Sequence, residues 1–310
     1  MDRYTKKGRK DAGFRQGKLP RKLAIARANS SLTLSRVRID RADFQWLNLR
    51  QTSLSRTIQK SKILLFGCGS IGAFVAHQLA AAGVGTIILV DPDIMGWSNT
   101  MRHILAGEHV GERKADALAT RLRRGFPHLE VVSFSITSNE FLHKHRQLGD
   151  DCDLVINLTG DWSSMKECDL WSSSAGQTCL YGWLEPYALA GHVIIVPPGG
   201  EDLSSGMTST GSDRNPVIRF ASTLPATKEL GCNSYFQEYS FVDMLSTVAA
   251  VVETALNSIA SLPPESRHVV TIPAPRRLQA FSATIADSWK SLLPMPQSGP
   301  VQIDTKWPSP

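Results

Sequence analysis

The segment KILLFGCGSIGAFVAHQLAAAGVGTIILVDPDIMGWSNTMRHILAGEHVGERK (Lys62–Lys114) decides how this chain folds. It begins with an apolar run, Ile63 to Phe66, of the kind that forms a buried parallel strand. The turn GCGSIG (Gly67–Gly72) follows. It needs glycines because the backbone bends sharply, a phosphate approaches it closely and the next helix packs tightly on the strand. Small and apolar residues from Ala73 to Ala82 predict that helix, whose N-terminal amides would face an anion.

A second apolar run, Thr86 to Val90, ends at Asp91, where a carboxylate can accept hydrogen bonds from a ribose hydroxyl. Strand, glycine turn, helix, strand and acid in this order predict a nucleotide site that uses Gly67, Gly69, Gly72 and Asp91. Strands and helices continue to alternate beyond this unit. The chain is therefore predicted to form an α/β fold with a doubly wound, mostly parallel sheet and ligands at its carboxyl edge.

The residues after Asp91 distinguish between two classes of nucleotide. Asn99, Arg102 and Lys114 place one amide and two cations in a short segment. An NAD-dependent oxidoreductase needs little positive charge there, because the reactive end of its cofactor is the nicotinamide ring. A triphosphate does need it, because cleavage between phosphates develops negative charge that cations and a metal stabilise. The pattern favours a triphosphate.

The phrases DPDIMGWSNTMRH and VGERK, taken with the glycine turn, resemble the adenylation core of the ThiF, HesA and MoeB family, the bacterial relatives of ubiquitin-activating enzymes. The resemblance implies a Rossmann-like adenylation domain that uses ATP and Mg2+. It also implies that Asp91 holds the ribose and that Asn99, Arg102 and Lys114 contact the phosphates. His103 stands where many members have glutamine, which places the chain among divergent bacterial branches.

A further arginine is expected from the lead-in DFQWLNLR, which ends at Arg50. This phrase resembles the segment before the adenylation domain in bacterial proteins that fuse a conjugating-enzyme-like domain to an activating-enzyme domain. In the family, an arginine from such a lead-in reaches the triphosphate, often in the neighbouring subunit. Arg50 is the candidate and Arg56 the reserve, and the alternative is an ordinary solvated arginine.

Asp161 follows the predicted strand from Asp153 to Leu158, where a carboxylate can coordinate magnesium. Family members usually read C-T-D-N at this point, whereas this chain reads L-T-G-D, with the acid one residue later. The alternative is that Asp161 caps the N-terminus of the next helix.

Residues 197–231 are rich in Gly, Ser, Thr and Pro and resemble the crossover loop of activating enzymes. Cys232 comes just after this loop and before an apolar helix predicted from Ser240 to Ala260. A helix N-terminus favours a reactive thiolate, so Cys232 is the candidate nucleophile for a thioester. The alternative is a buried cysteine that packs the base of the loop. His192 lies in an apolar run and is expected to be a core histidine.

The composition limits the remaining possibilities. In the 310 residues, no apolar stretch approaches the roughly 20 residues that cross a bilayer, and the basic N-terminus lacks the apolar core of a secretory signal. Five widely spaced cysteines favour reduced thiols and a cytoplasmic location. The net charge of +6 is uneven, because residues 1–60 hold sixteen Lys and Arg against four Asp and Glu. This basic extension could bind nucleic acid or an acidic protein, although a solvated linker is the favoured interpretation.

These observations predict three regions: a flexible basic extension at 1–35, a ThiF-like adenylation domain at 36–262, and a strand with a Pro-rich tail at 263–310. The apolar helix from Ser240 and the family resemblance favour a homodimer. The expected function is ATP-dependent adenylation of a C-terminal, glycine-type tail. Its owner would be a ubiquitin-like protein, a sulfur carrier or a cGAS-like nucleotidyltransferase of an antiviral operon, with a conjugating enzyme as a possible partner. The alternatives are an NAD-dependent oxidoreductase and an inactive Rossmann-fold scaffold.

Overall fold

The computed structural model describes residues 20–30, 36–37, 39–41, 46, 56–221, 227–228, 235–236, 238–293 and 299–309. The chain divides into two compact units, residues 1–41 and residues 42–310. The first unit contains helix α1 (Arg21–Asn29), which is exposed along most of its length.

The second unit is built on a sheet of eight strands in the order β12-β10-β6-β5-β4-β1-β2-β3. The strands that form its parallel half are β1 (Lys62–Phe66), β2 (Thr86–Val90), β3 (Glu130–Phe134), β4 (Leu154–Asn157) and β5 (Cys179–Leu184). The antiparallel half adds β6 (Gly191–Val196), β10 (Arg267–Ile272) and β12 (Val301–Lys306). The predicted doubly wound, mostly parallel sheet is confirmed.

Helices cover both faces of this sheet. Those described are α2 (Arg56–Lys60), α3 (Ser70–Ala81), α4 (Lys114–Gly125), α5 (Ser138–Lys144), α6 (Arg146–Asp150), α7 (Trp162–Ala175), α8 (Phe241–Ala260), α9 (Pro275–Ala280) and α10 (Asp287–Lys290). Four further strands are shorter or separate from the main sheet: β7 (Ile218–Phe220) pairs with β11 (Ala283–Ile285), and β8 (Thr227–Lys228) with β9 (Tyr235–Phe236).

The alternation of side chains along β1 explains why both faces must be covered. Ile63 and Leu65 point into a core shared with α3, α4 and α8, whereas Leu64 and Phe66 point into a second core with α5 and α7. All four side chains are fully buried, as expected for successive strand residues that face opposite sides of a sheet enclosed between two layers. The carboxyl ends of β1, β2 and β4 then meet at one edge, which becomes the site described below.

Helix α8 crosses the first face of the sheet and packs on α3. Within the described ranges it is the one helix whose length and composition would suffice to span a bilayer. A core helix has the same composition, and Met244, Val248 and Val251 are buried in the first core. Val242, in contrast, is 70% exposed and Leu245 is 39% exposed.

Two expectations need correction. The crossover loop at 197–231, predicted to have few apolar anchors, is folded through residue 221, because Leu203, Met207, Val217 and Ile218 are buried in two of the cores. The C-terminal region at 263–310, predicted as one strand with a weakly patterned tail, contributes both β10 and β12 to the main sheet. No boundary therefore divides the sheet at residue 262.

Candidate functional site

A cavity of about 510 Å³ lies at the carboxyl edge of the parallel strands. This volume is within the range of small-molecule sites. Its wall is formed by the glycine turn after β1, the segment after β4 and the end of β5. Tyr239, which lies just before helix α8, completes the wall. The residues that line the cavity include Gly69, Arg102, Thr159, Trp162, Trp183 and Tyr239.

The glycine turn is closed so tightly that two of its residues cannot carry a side chain. Gly67 has φ +90°, and a Cβ there would lie 2.8 Å from the backbone of Leu158. A Cβ on Gly72 would lie 1.9 Å from the carbonyl oxygen of Gly67. Gly69 differs, because a Cβ there would meet no atom within 4 Å. The backbone geometry thus requires glycine at Gly67 and Gly72. Gly69 instead leaves the cavity free of a side chain at this point of its wall.

Asp91 stabilises this turn by accepting two backbone hydrogen bonds. Its Oδ2 accepts a hydrogen bond from the Cys68 N–H at 2.6 Å, and its Oδ1 accepts one from the Asp93 N–H at 2.8 Å. The residue is only 5% exposed. Burial raises the pKa of this carboxyl, while the two hydrogen bonds and Lys114 oppose the rise. Both carboxylate oxygens therefore already support the turn, and the ribose contact expected of Asp91 stays a prediction.

Asn99 and Arg102 lie on a 3-10 helix, Trp97–Arg102, that follows β2. The Asn99 carboxamide oxygen accepts the Gly96 N–H at 3.0 Å and closes the start of this helix. The NH2 group of the same carboxamide is the hydrogen-bond donor that an anion would need. Arg102 forms part of the cavity wall, as a phosphate-binding cation should.

Tyr239 contacts both Arg102 and Ser70, and this role was not predicted from the sequence. The Arg102 guanidinium lies 5.1 Å from the centroid of the Tyr239 ring. The Tyr239 hydroxyl lies 2.8 Å from the hydroxyl of Ser70, the first residue of α3. Neither contact has a local sequence signal, because the residues are separated by more than a hundred positions in the chain.

Lys114 is the first residue of α4 and is 7% exposed. Its ammonium donates a hydrogen bond to Asp93 at 2.9 Å. The second acid of the D-P-D phrase is therefore the partner of this lysine, a pairing over 21 positions that no sequence rule indicated.

Asp161 follows β4 and caps helix α7, since its Oδ2 accepts the Ser164 N–H at 2.8 Å. The capping role considered for it is thus observed, and its magnesium role stays a prediction. The side chain is exposed at the edge beside Gly160 and Trp162, which line the cavity. Within the described ranges, no cluster of three or more His, Cys, Asp or Glu could hold a metal by itself.

Two predicted residues, Arg50 and Cys232, lie outside the described residues. Arg56, the reserve candidate, is exposed at the start of α2. The described cysteines, Cys68, Cys152, Cys168 and Cys179, are all free thiols.

His192 is a core histidine, as predicted, but its surroundings are polar. It is fully buried, its Nε2 lies 2.9 Å from Glu185 Oε1, and its Nδ1 lies 2.9 Å from His268 Nε2. Glu185 also accepts the N–H groups of Val217 and Ile218, at 2.6 and 2.9 Å. This network fastens the chain before β7 to the end of β5, and so supports the wall formed by Trp183, whose ring stacks on His192 at 4.7 Å.

Comparisons with known proteins show which family the chain resembles. The ThiF family model matches residues 44–258. The ATP-dependent ubiquitin transferase-like protein Cap2 of Pseudomonas aeruginosa is 32% identical over 155 residues, which are 48% of this chain and 27% of Cap2. The adenylyltransferase and sulfurtransferase MOCS3 of Xenopus laevis is 40% identical over 138 residues, 41% of this chain and 31% of MOCS3.

Among solved structures, E. coli MccB with MccA-N7isoAsn superposes with a TM-score of 0.56 at 14% identity, covering 74% of this chain and 65% of MccB. This likeness concerns the fold alone. The chain spans about a third or less of the two curated relatives named above. The family model covers more than half of the 310 residues and includes the glycine turn, Arg102, Lys114 and Asp161, and the chain therefore belongs to the ThiF family.

Proposed function

We propose that this protein is an ATP-dependent adenylyltransferase that activates the C-terminal carboxylate of a protein or peptide. The observation that carries the proposal is the position of Arg102 in the wall of the cavity, next to Gly69 and Ser70 of the glycine turn. A cation beside a helix N-terminus and a glycine turn suits a polyphosphate. The names of the relatives, an adenylyltransferase and a ubiquitin transferase-like protein, support the same class of reaction.

The proposed reaction is an in-line substitution at phosphorus. A carboxylate oxygen of the tail attacks the α-phosphorus of ATP, and the bond from that phosphorus to the bridging oxygen of the β-phosphate breaks. The electron pair of that bond leaves with pyrophosphate, and the acyl-adenylate remains. Arg102 and Lys114 would stabilise the charge on the phosphates, the amides at the start of α3 would bind them, and Asn99 would donate a hydrogen bond to one of them.

Asp161 is the proposed residue for Mg2+. Its carboxylate is exposed beside the cavity, and an oxygen ligand is what this cation prefers. Its Oδ2 serves the helix cap, so the Oδ1 is the oxygen that would face the metal. When bound, Mg2+ would neutralise phosphate charge and favour departure of pyrophosphate.

The part of the cavity wall formed by Trp162, Trp183 and Glu185 is proposed to receive the tail. The two indole rings would offer apolar surface, and Glu185 is already engaged by His192 and two backbone N–H groups. The proposed partner is a ubiquitin-like protein, a sulfur carrier or a cGAS-like nucleotidyltransferase with a glycine-type tail, in the cytoplasm and as part of antiviral defence.

Three finer features complete the proposal. Cys232 would accept the acyl group as a thioester, in the segment that precedes Tyr239. Arg50 would contact the triphosphate, from the same subunit or its partner. The exposed Val242 and Leu245 on α8 are suited to a homodimer contact, because large apolar side chains at 70% and 39% exposure gain from being covered.

The test is ATP–pyrophosphate exchange in the presence of candidate tails. Peptides with a free C-terminal carboxylate are compared with the same peptides carrying a C-terminal amide, which cannot attack phosphorus. We expect exchange with carboxylate peptides and none with amides, and Arg102→Ala to remove most of it. A protein that binds NADH but not ATP–Mg2+ in thermal-shift measurements would instead be an oxidoreductase.

A further inference from the structure

Both backbone polar groups of Cys68, in the middle of the glycine turn, are hydrogen-bonded to buried side chains. Its N–H donates to Asp91 Oδ2 at 2.6 Å. The carbonyl on its other side lies 2.6 Å from Nε2 of His103. His103 is 7% exposed and follows Arg102 directly, at the end of the 3-10 helix that carries Asn99 and Arg102. The turn and this helix are thus joined by one imidazole ring.

The protonation of that ring follows from its two partners. The Leu105 N–H lies 3.0 Å from His103 Nδ1, and a backbone N–H can only donate. Nδ1 is therefore the acceptor and carries no proton. The partner of Nε2 is a carbonyl, which can only accept, so Nε2 carries the proton and donates a hydrogen bond to the Cys68 carbonyl oxygen. His103 is consequently a neutral imidazole in a single tautomer.

The surroundings favour this neutral form. Burial lowers the pKa of His103, the positive charges of Lys114 and His109 lower it further, and the hydrogen bond to the Cys68 carbonyl opposes them. The carboxylate of Asp91 accepts the N–H of the preceding peptide, that of Cys68. A proton added at Nδ1 would face the Leu105 N–H, donor against donor, and this contact would break.

The direction of the Cys68 carbonyl also sets the direction of the next amide. In a trans peptide the C=O and N–H bonds point to opposite sides, so a carbonyl directed at His103 sends the Gly69 N–H away from it. Gly69 lines the cavity. An N–H of a glycine turn at a helix N-terminus can donate a hydrogen bond to a phosphate oxygen, provided that its peptide cannot rotate.

We propose that His103 is a positioning residue, which orients the Gly69 N–H toward a nucleotide phosphate and holds the glycine turn at a fixed position relative to Arg102. The inference rests on the proposed function, because it requires a phosphate at this turn. Glutamine reproduces both bonds, since its amide nitrogen donates and its oxygen accepts. Leucine has a similar bulk and reproduces neither.

The experiment measures binding of a non-hydrolysable ATP analogue with Mg2+ to wild type, His103→Gln, His103→Leu and His143→Gln. His143 is the control because 79% of its side chain is exposed, on α5. We expect His103→Leu to weaken binding by about 10-fold or more, and His103→Gln and His143→Gln to bind within about 3-fold of wild type. Thermal unfolding of each variant without nucleotide verifies that it is folded.

A pH series separates positioning from a merely structural role. The affinity of wild type divided by that of His103→Gln cancels protonation of the nucleotide itself. We expect this ratio to be constant at neutral and higher pH and to fall on acidification, once the ring of wild type takes up a proton and the glutamine does not. Because burial lowers the pKa of His103, the fall should come at a more acidic pH than for an ordinary histidine. A ratio that does not change with pH, or wild-type affinity in His103→Leu, would overturn the inference.

Failure of the proposed function gives a different result. If wild type itself binds no ATP analogue, the adenylyltransferase proposal fails and the phosphate role of His103 fails with it. If wild type binds and His103→Leu binds equally well, the inference alone is wrong. NMR of ¹⁵N-histidine-labelled protein reports the tautomer without nucleotide, and a proton on Nδ1 of His103 would overturn the inference in either case.

Discussion

The Nζ of Lys114 lies 2.9 Å from Oδ2 of Asp93, and the lysine is the far more buried partner, with 9% of its side chain exposed against 63% for the aspartate. Lys114 begins helix α4, where the positive end of the helix dipole opposes a cation. Its position is therefore unfavourable without a nearby negative charge. Asp93 supplies that charge in the free protein, and a polyphosphate would supply it in the complex.

Replacing this lysine tests its role in catalysis. We expect Lys114→Met to lower ATP–pyrophosphate exchange by about 10²-fold, because a fixed cation is lost from the phosphates. Asp93→Asn keeps the ammonium and should lower exchange by less than about 10-fold, since the pair is partly solvated. Lys166→Met on the exposed side of α7 is the control and should behave as wild type. Unchanged exchange in Lys114→Met would remove Lys114 from the site.

Tyr239 is expected to position Arg102 through two separable contacts. Tyr239→Leu removes both the ring beside the guanidinium and the hydroxyl near Ser70, and we expect kcat/KM to fall by about 10-fold or more. Tyr239→Phe keeps the ring and should cost about 3-fold. Ser70→Ala should add little to Tyr239→Phe, because the two residues share one hydrogen bond. Additive effects of the two substitutions would contradict the pairing.

The glycine turn separates a folding requirement from a binding requirement. Gly72→Ala places a Cβ 1.9 Å from the Gly67 carbonyl oxygen, so we expect unstable or insoluble protein. Gly69→Ala meets no atom within 4 Å and should unfold at the wild-type temperature, but its methyl group would enter the cavity where the phosphates are proposed to bind. Binding of ATP should weaken by about 10-fold. Gly125→Ala, also with open space, is the control. Wild-type affinity in Gly69→Ala would place the phosphates elsewhere.

Glu185 should matter for stability more than for chemistry. The carboxylate is 8% exposed and accepts from His192, Val217 and Ile218. Glu185→Gln replaces one oxygen with an N–H donor that must face another donor, so the free energy of unfolding should fall by about 2–3 kcal/mol. Urea denaturation measures this, with the exposed Glu201→Gln as the control. Equal midpoints for the two variants would show that the network contributes little.

The parts of the fold that the sequence predicted are those whose signals are local. The run from Ile63 to Phe66, the turn to Gly72 and the acid at Asp91 follow one another within a single strand–helix–strand unit, and the structure arranges them as expected. Each is determined by its neighbours in the chain, through glycine geometry and strand burial.

The parts that were missed depend on distant partners. Residues 201–221 read as loop because their apolar anchors are sparse, yet Glu185 accepts two of their N–H groups and the cores bury four of their side chains. Trp289 and Trp307 fall in the region predicted as a strand with a Pro-rich tail, yet Trp289 is fully buried and Trp307 is 4% exposed. In the site, no periodic pattern in the sequence indicated the contacts of Tyr239 or the pairing of Lys114 with Asp93. Such contacts appear only when the sheet brings distant segments together.

The most direct test of the central claim follows an oxygen atom. A tail peptide or partner protein with both C-terminal carboxylate oxygens labelled with ¹⁸O is incubated with ATP and Mg2+, the adenylate is cleaved with hydroxylamine, and the AMP is analysed by mass spectrometry. If the carboxylate attacks the α-phosphorus, the bridging oxygen stays with phosphorus when the acyl group leaves. AMP then carries one ¹⁸O, and its formation depends on Arg102. AMP without ¹⁸O, or ADP as the nucleotide product, would contradict adenylation of the carboxylate.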